Sequence, residues 1–188
     1  MKSISISFPR SGCLALLLVL LAPGHALAGG KHDHGHDHGH QQSAHVHGQA
    51  QLQVALEDRT VDLIFRSPAA NLVGFEHQPR NEDQKQQLDQ TREWLANTPL
   101  VNTDNGDCTV VSGTAHLSHE HGHSHGDTHS EIEVSQQLQC ASDPESPLVT
   151  PLPGQFREIH RLAVDWVSKR GQGQTVLEEG GDTIQLTP

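Results

Sequence analysis

Alternation of apolar and polar side chains predicts strands over much of the chain after residue 44. Residues 50–56 place an apolar side chain at every second position, which is typical of a strand with one buried face. Residues 61–65 repeat the pattern after the charged segment 57–59, so the two strands are expected to form a hairpin.

A helix is predicted after the second strand and a partly apolar connection over residues 69–77. Asn81 has the chemistry of an N-cap, and Gln84 follows three positions later. Leu88 and Leu95 lie on one helical face, and Pro99 ends the segment. The apolar face is expected to pack on the sheet.

The second half of the chain predicts more strands than helices. Cys108 begins one expected strand and Cys140 ends another, so this pair forms a second hairpin. A short helix is expected over 155–161, with Phe156 and Ile159 facing inward. Further strands are expected at 162–166, 175–177 and 184–186, with a turn over 169–173. The fold class is therefore α+β: one domain with about seven mainly antiparallel strands and two helices.

The first 28 residues have the pattern of an export signal. Lys2 and Arg10 precede an apolar run over 14–22, which is too short to span a bilayer, and Ala28 ends a small-x-small cleavage motif. An uncleaved anchor is the alternative. With cleavage after Ala28, no other segment of the chain is apolar enough to span a membrane, and a periplasmic product is expected.

Charge excludes some partners. Cleavage removes two of the 12 basic residues and none of the 23 acidic ones. The remaining negative balance disfavours nucleic acid and anionic membranes and favours cations.

Histidine is concentrated in two tracts, which hold thirteen of the 16 histidines between residues 32–47 and 116–129. Neutral imidazole is a preferred ligand for zinc, copper and nickel. Alternating histidines on extended chain project to one face, with α-carbons about 6.5–7 Å apart, so pairs can converge on one ion. Several zinc ions are therefore expected. The candidate ligands in these tracts are His32, His34, His36, His38, His40, His116, His119, His121, His123, His125 and His129.

The two tracts have different surroundings. Residues 29–43 contain no apolar side chain and are expected to be disordered without metal. A solvated low-complexity tail is the alternative to a metal-binding role. The second tract is expected to form the tip of the hairpin between Cys108 and Cys140.

A more ordered site is predicted at the mouth of the first strand. His45 and His47 project to one face there, and Glu76 and His77 end the connection 69–77. If that connection folds back over the strand, the three histidines form a defined site that Glu76 or a loop histidine completes. The alternative makes His77 structural and Glu76 a solvated charge. His160 is expected to be structural.

The sequence also offers a protease-like motif and a cysteine pair. His119-Glu120 and His123 match the zinc-protease motif His-Glu-x-x-His, but that motif requires a helix, which the intervening glycines disfavour. No enzymatic activity is expected. Cys108 and Cys140 are expected to form a disulfide in an oxidising compartment, with thiolate metal ligation as the alternative.

The stretches AHVHGQAQLQVALE (44–57) and SPAANLVGFEHQP (67–79) resemble the ZrgA-type periplasmic zinc-uptake proteins, formerly a domain of unknown function. The resemblance covers most of the chain after residue 28. It implies a zinc-binding domain over 44–188, with a His-rich loop at 116–129. The family's motif positions fall on His45, His47, Glu76 and His77.

The resemblance also implies a function, which is capture of zinc for an inner-membrane ABC-type importer. The alternative is a passive periplasmic buffer or detoxification sponge for zinc, nickel or copper. No methionine remains after Ala28, which disfavours a dedicated Cu(I) protein.

Overall fold

A computed structural model describes residues 46–120, 129–144 and 147–187, which form nine strands and three helices. The strands are β1 (Gln49–Glu57), β2 (Thr60–Pro68), β3 (Asn102–Thr103), β4 (Cys108–Glu120), β5 (His129–Cys140), β6 (Leu148–Val149), β7 (Arg161–Ser168), β8 (Gly171–Glu178) and β9 (Thr183–Ile184). The helices are α1 (Ala69–Val73), α2 (Glu82–Asn97) and α3 (Leu152–Gln155).

The main sheet has six strands in the order β4-β5-β2-β1-β7-β8. Its neighbours are antiparallel except for β1 and β7, which run parallel. A smaller sheet contains β3, β6 and β9. The predicted α+β class with mostly antiparallel pairing is confirmed, although the described strands divide into two sheets.

Strands β4 and β5 form the second predicted hairpin. Their pairing runs from Cys108 opposite Cys140 to Glu120 opposite His129, with a bulge between Val110 and Ser112. A disulfide joins Cys108 to Cys140, so this prediction is confirmed. The disulfide and the His-rich segment therefore lie at opposite ends of the hairpin.

Helix α2 packs across β4 and β5. It begins as predicted, since Asn81 accepts a hydrogen bond from the Gln84 amide at 2.8 Å. At its other end the buried Gln136 of β5 donates to the carbonyls of Leu95 and Thr98, both at 2.7 Å. This side chain satisfies carbonyls that the helix terminus cannot pair internally, and it fixes the helix to the sheet.

Three features differ from the sequence predictions. The connection after β2 contains the short helix α1, because Leu72 and Val73 bury a face against the core. The helix predicted over 155–161 is wrong. Phe156 and Ile159 are buried as expected, but the helical turn comes earlier, at Leu152–Gln155. Strand β8 begins at Gly171, inside the segment predicted to be a turn.

The described residues contain no helix long and apolar enough to cross a membrane. The predicted export signal (1–28), the predicted disordered tail (29–43) and the loop tip (121–128) lie outside the described residues.

Candidate metal centre at one end of the sheet

One end of the main sheet gathers segments that are distant in sequence. The start of β1 pairs with the start of β7, through Gln49 and Arg161. Arg161 in turn pairs with Glu178 at the end of β8. On the other side of β1, the end of β2 pairs with the start of β5, through Pro68 and Glu131. The segments that flank both His-rich tracts therefore leave the sheet at this end.

A buried asparagine fixes the connection after β2 against the start of β1. The Asn71 side chain accepts from the Gly48 amide at 2.8 Å and donates to the Gln49 carbonyl at 3.0 Å and the Ser67 hydroxyl at 3.1 Å. Asn71 is 4% exposed, so these bonds are shielded from water. The connection therefore folds back onto the start of β1, as the predicted site requires, and whether these residues bind metal stays a prediction.

The result is a direct contact between two predicted site residues. His47 Nε2 lies 2.9 Å from Glu76 Oε1. The histidine side chain is 66% exposed and the glutamate side chain 15% exposed. A partly buried carboxylate thus faces an accessible imidazole, as in the carboxylate–histidine pairs that orient metal ligands.

A hydrogen bond from β5 also holds loop 74–80 in place. Ser130, near the start of β5, donates its hydroxyl to the Glu76 carbonyl. This bond places Glu76 beside the strand that follows the His-rich loop.

His77 lies in the same loop, where its ring stacks on Phe75 with centroids 5.2 Å apart. Its Nδ1 lies 2.8 Å from the carbonyl oxygen of Gln78. Because a carbonyl only accepts, Nδ1 carries the proton and Nε2 has the lone pair that a metal needs. The structural and ligand roles of His77 are therefore compatible.

The ligand atoms of the predicted site residues do not lie close enough together to hold one ion in the described structure. Within the described part of the chain, one set of three potential ligands has all its atoms within 4.8 Å: Asp107, Cys108 and Cys140. Both sulfurs are in the disulfide, so this set is not a metal site. His47, Glu76 and His77 form no such set, and His45 lies outside the described residues.

Part of the second His-rich tract belongs to regular strands. His116 is exposed on β4 opposite Glu133, which accepts a 2.7 Å hydrogen bond from Arg66 Nε. His119 and Glu120 also lie in β4, an extended conformation that does not fit the helix required by a zinc protease. The remaining candidates His121, His123 and His125 lie outside the described residues, as do His32, His34, His36, His38 and His40, while His129 begins β5.

A groove of about 950 Å³ lies elsewhere, on the open face of the six-stranded sheet. Its lining includes no histidine. Its carboxylates Asp62 and Asp165 accept hydrogen bonds from Gln137 and Gln174, at 2.9 Å and 2.8 Å. The groove is therefore separate from the candidate metal centre.

Sequence reasoning missed two residues at this end of the sheet. Asn71 appeared only as part of a connection, and His160 was expected to be structural. His160 immediately precedes β7, and its position beside His47 follows from the parallel pairing of β7 with β1. The local sequence does not show that β7 pairs with β1, so the position of His160 could not be predicted from it.

The fold and this end together define an α+β domain with a candidate metal centre. A family model described as the ZrgA family zinc uptake protein matches residues 44–186, and the chain belongs to that family. No curated protein matches the chain.

Proposed function

We propose that this chain is a periplasmic zinc-binding protein that captures zinc and passes it to an inner-membrane ABC-type importer. Membership of a zinc uptake family supports the zinc-related role. Export is proposed from the sequence of residues 1–28, which has the pattern of a cleaved signal.

The observation that carries the proposal is the 2.9 Å contact between His47 and Glu76. Both residues lie on backbone that Asn71 and Ser130 already hold in place. Ligands on ordered backbone lose little further conformational entropy when an ion binds, so more of the coordination energy contributes to affinity. We propose that His45 and His77 complete this ordered region.

The His-rich tracts are proposed to supply capacity. Val46, near the end of the first tract, is two residues before Gly48 at the sheet end, and Glu120 and His129 flank segment 121–128. We propose that ions bound by the residues of each tract nearest these positions are captured close to the ordered region. Dense histidines of this kind suit transient binding of several ions, and their proximity favours transfer to the tighter position.

Growth experiments distinguish an uptake protein from a passive buffer. A strain lacking the chain should grow poorly when a chelator limits zinc, should take up radioactive zinc more slowly, and should tolerate excess zinc normally. The wild-type chain should restore uptake, and so should a Gln51→Ala control on the same strand, whereas the His47→Ala, His77→Ala variant should not. Normal growth under chelation combined with sensitivity to excess metal would instead identify a buffer.

A further inference from the structure

His160 lies at the same junction as His47, on the opposite side from Glu76. The Gly48 carbonyl accepts hydrogen bonds from the amides of His160 and Arg161, both at 2.9 Å. The Gly48 amide is meanwhile held by Asn71. Gly48 is thus fixed at both polar groups, and the two histidines extend from one rigid backbone junction.

Glycine is required at this junction. Gly48 has a φ of +82°, and a Cβ there would lie 2.9 Å from Cδ2 of His160. Any side chain at position 48 would therefore push the His160 imidazole away from the Gly48 backbone. The close approach brings the His160 ring beside the residue that follows His47.

A shallow cleft of about 450 Å³ opens between these histidines and the end of β8. Its lining includes His47, His160, Glu178 and Glu179. Glu178 is paired with Arg161. Glu179 and His160 are exposed, and the described structure records no partner for either side chain. The cleft thus combines two imidazoles with one available carboxylate, a ligand set that suits zinc.

The Glu76 contact determines which nitrogen of His47 can bind metal. A carboxylate accepts a hydrogen bond, so His47 Nε2 carries the shared proton. A neutral imidazole then has its lone pair on Nδ1. Glu76 therefore orients the ring and leaves Nδ1 for a metal, which is the arrangement of a carboxylate–histidine–metal triad.

Resting on the proposed zinc-binding function, we propose that one zinc ion binds in this cleft through His47 Nδ1, the His160 imidazole and the Glu179 carboxylate. Glu76 is a positioning residue for His47. These three ligands do not form a set within 4.8 Å in the described structure, so binding turns the exposed His160 and Glu179 side chains toward His47, which Glu76 holds in place. Three protein ligands leave a position for water, through which an incoming histidine can exchange with the ion.

Nitrogen-15 spectroscopy of the histidine rings in the whole exported chain tests the proposal, with zinc chloride as the probe. His47→Gln and His160→Gln identify the two ring signals. Zinc should change both signals in one titration step with one midpoint. Glu179→Gln should weaken that step about tenfold or more, because losing a direct ligand should cost at least as much affinity as losing an outer-shell partner. The matched control Glu158→Gln, at an exposed residue outside the cleft, should leave the step unchanged.

Two results would overturn the cleft site alone: a His47 response without a His160 response, or equal midpoints for the Glu179 and Glu158 variants. If neither His47 nor His160 responds while other histidines do, the cleft site and the proposed ordered region both fail. One titration therefore distinguishes failure of the cleft site alone from failure of both the cleft site and the ordered region.

Discussion

The Gly48 amide donates a 2.8 Å hydrogen bond to the side-chain oxygen of Asn71, a residue 23 positions away in sequence. Through this bond the connection after β2 is attached to the start of β1. Loop 74–80, which carries Glu76 and His77, begins directly after helix α1, where Asn71 lies. The position of the candidate ligands therefore depends on a buried amide that does not itself ligate.

Replacing Asn71 should weaken both the fold and the ordered site. Asn71→Ala leaves the Gly48 amide and the Gln49 carbonyl without this partner, and each unsatisfied buried group costs roughly 1–3 kcal/mol. Urea unfolding should show a fall of that order or larger. Asn105→Ala, at an exposed asparagine, is the control and should change stability by less than about 0.5 kcal/mol. Equal midpoints for the two variants would contradict this account of the junction.

Glu76 should affect zinc binding through His47. Glu76→Ala removes the acceptor at His47 Nε2 and should weaken zinc at the ordered position by about 10–100-fold. Glu76→Gln keeps an acceptor without the charge, so its loss should be smaller. Competition with a chromophoric chelator measures the affinity, and ring nitrogen-15 shifts report the His47 tautomer.

Glu57, at the other end of β1, provides the control for the two Glu76 variants. Glu57→Gln should alter neither the affinity nor the tautomer. A Glu76→Ala variant with wild-type affinity and an unchanged His47 tautomer would show that the contact has no positioning role.

The His-rich tracts and the ordered region should contribute separately to the number of bound zinc ions. Removing residues 32–40 and replacing 121–128 with glycine and serine should lower the number of bound zinc ions but retain one tight site. Adding His47→Ala and His77→Ala should then remove that site. Calorimetry near neutral pH measures both changes. Loss of all tight binding on tract replacement alone would mean that the ordered region holds no ion.

Gly113 should be required for the contact between β4 and α2. A Cβ at this position would lie 1.9 Å from the Ala96 carbonyl oxygen. Gly113→Ala must therefore move the helix or the strand, at a cost of roughly 1–3 kcal/mol or more. Gly154→Ala is the matched control, because a Cβ there meets no atom within 4 Å. Thermal unfolding distinguishes them, and equal melting temperatures would disprove the tight approach.

Asp107 should add stability that is lost in acid. Hydrogen bonds from the Thr103 and Ser142 hydroxyls lower the pKa of the Asp107 carboxyl below its ordinary 3.8. A group with a depressed pKa in the folded state stabilises the fold above the unfolded value and loses that contribution as pH falls through the folded value. Carbon-13 titration should find the lowered pKa, and Thr103→Val should raise it.

Local sequence patterns were sufficient for the long elements. Alternation located β1 and β2, and the chemistry of Asn81 placed the start of α2 correctly. The two-residue strands β3 and β6 were not predicted, because so few residues carry no periodicity, and the strand expected at 184–186 overlaps β9 only at Ile184. The helix predicted at 155–161 failed because Phe156 and Ile159, three residues apart, mimic a helical face while being buried by tertiary contacts.

The candidate site was predictable only in part, for a physical reason. His47 and Glu76 were predicted together because both lie at the ends of recognisable segments. His160 was not, since its place depends on the pairing of β1 with β7. That pairing joins residues more than a hundred positions apart, and no local pattern encodes it.

Parallel pairing of β1 with β7 has a consequence for how the chain tolerates change in length. Two parallel strands begin at the same end of a sheet, so His47 and His160, which precede β1 and β7, lie at the same end whatever the length of chain between them. The connection from Ala141 to His160 crosses the molecule outside the main sheet. Insertions next to the exposed Ala141 and Ser142 should leave the register of Gln49 with Arg161 intact, because they do not disturb the buried Leu148, Leu152 and Ile159 of the connection. The end of the sheet that carries the candidate ligands can therefore stay constant while this connection changes in length.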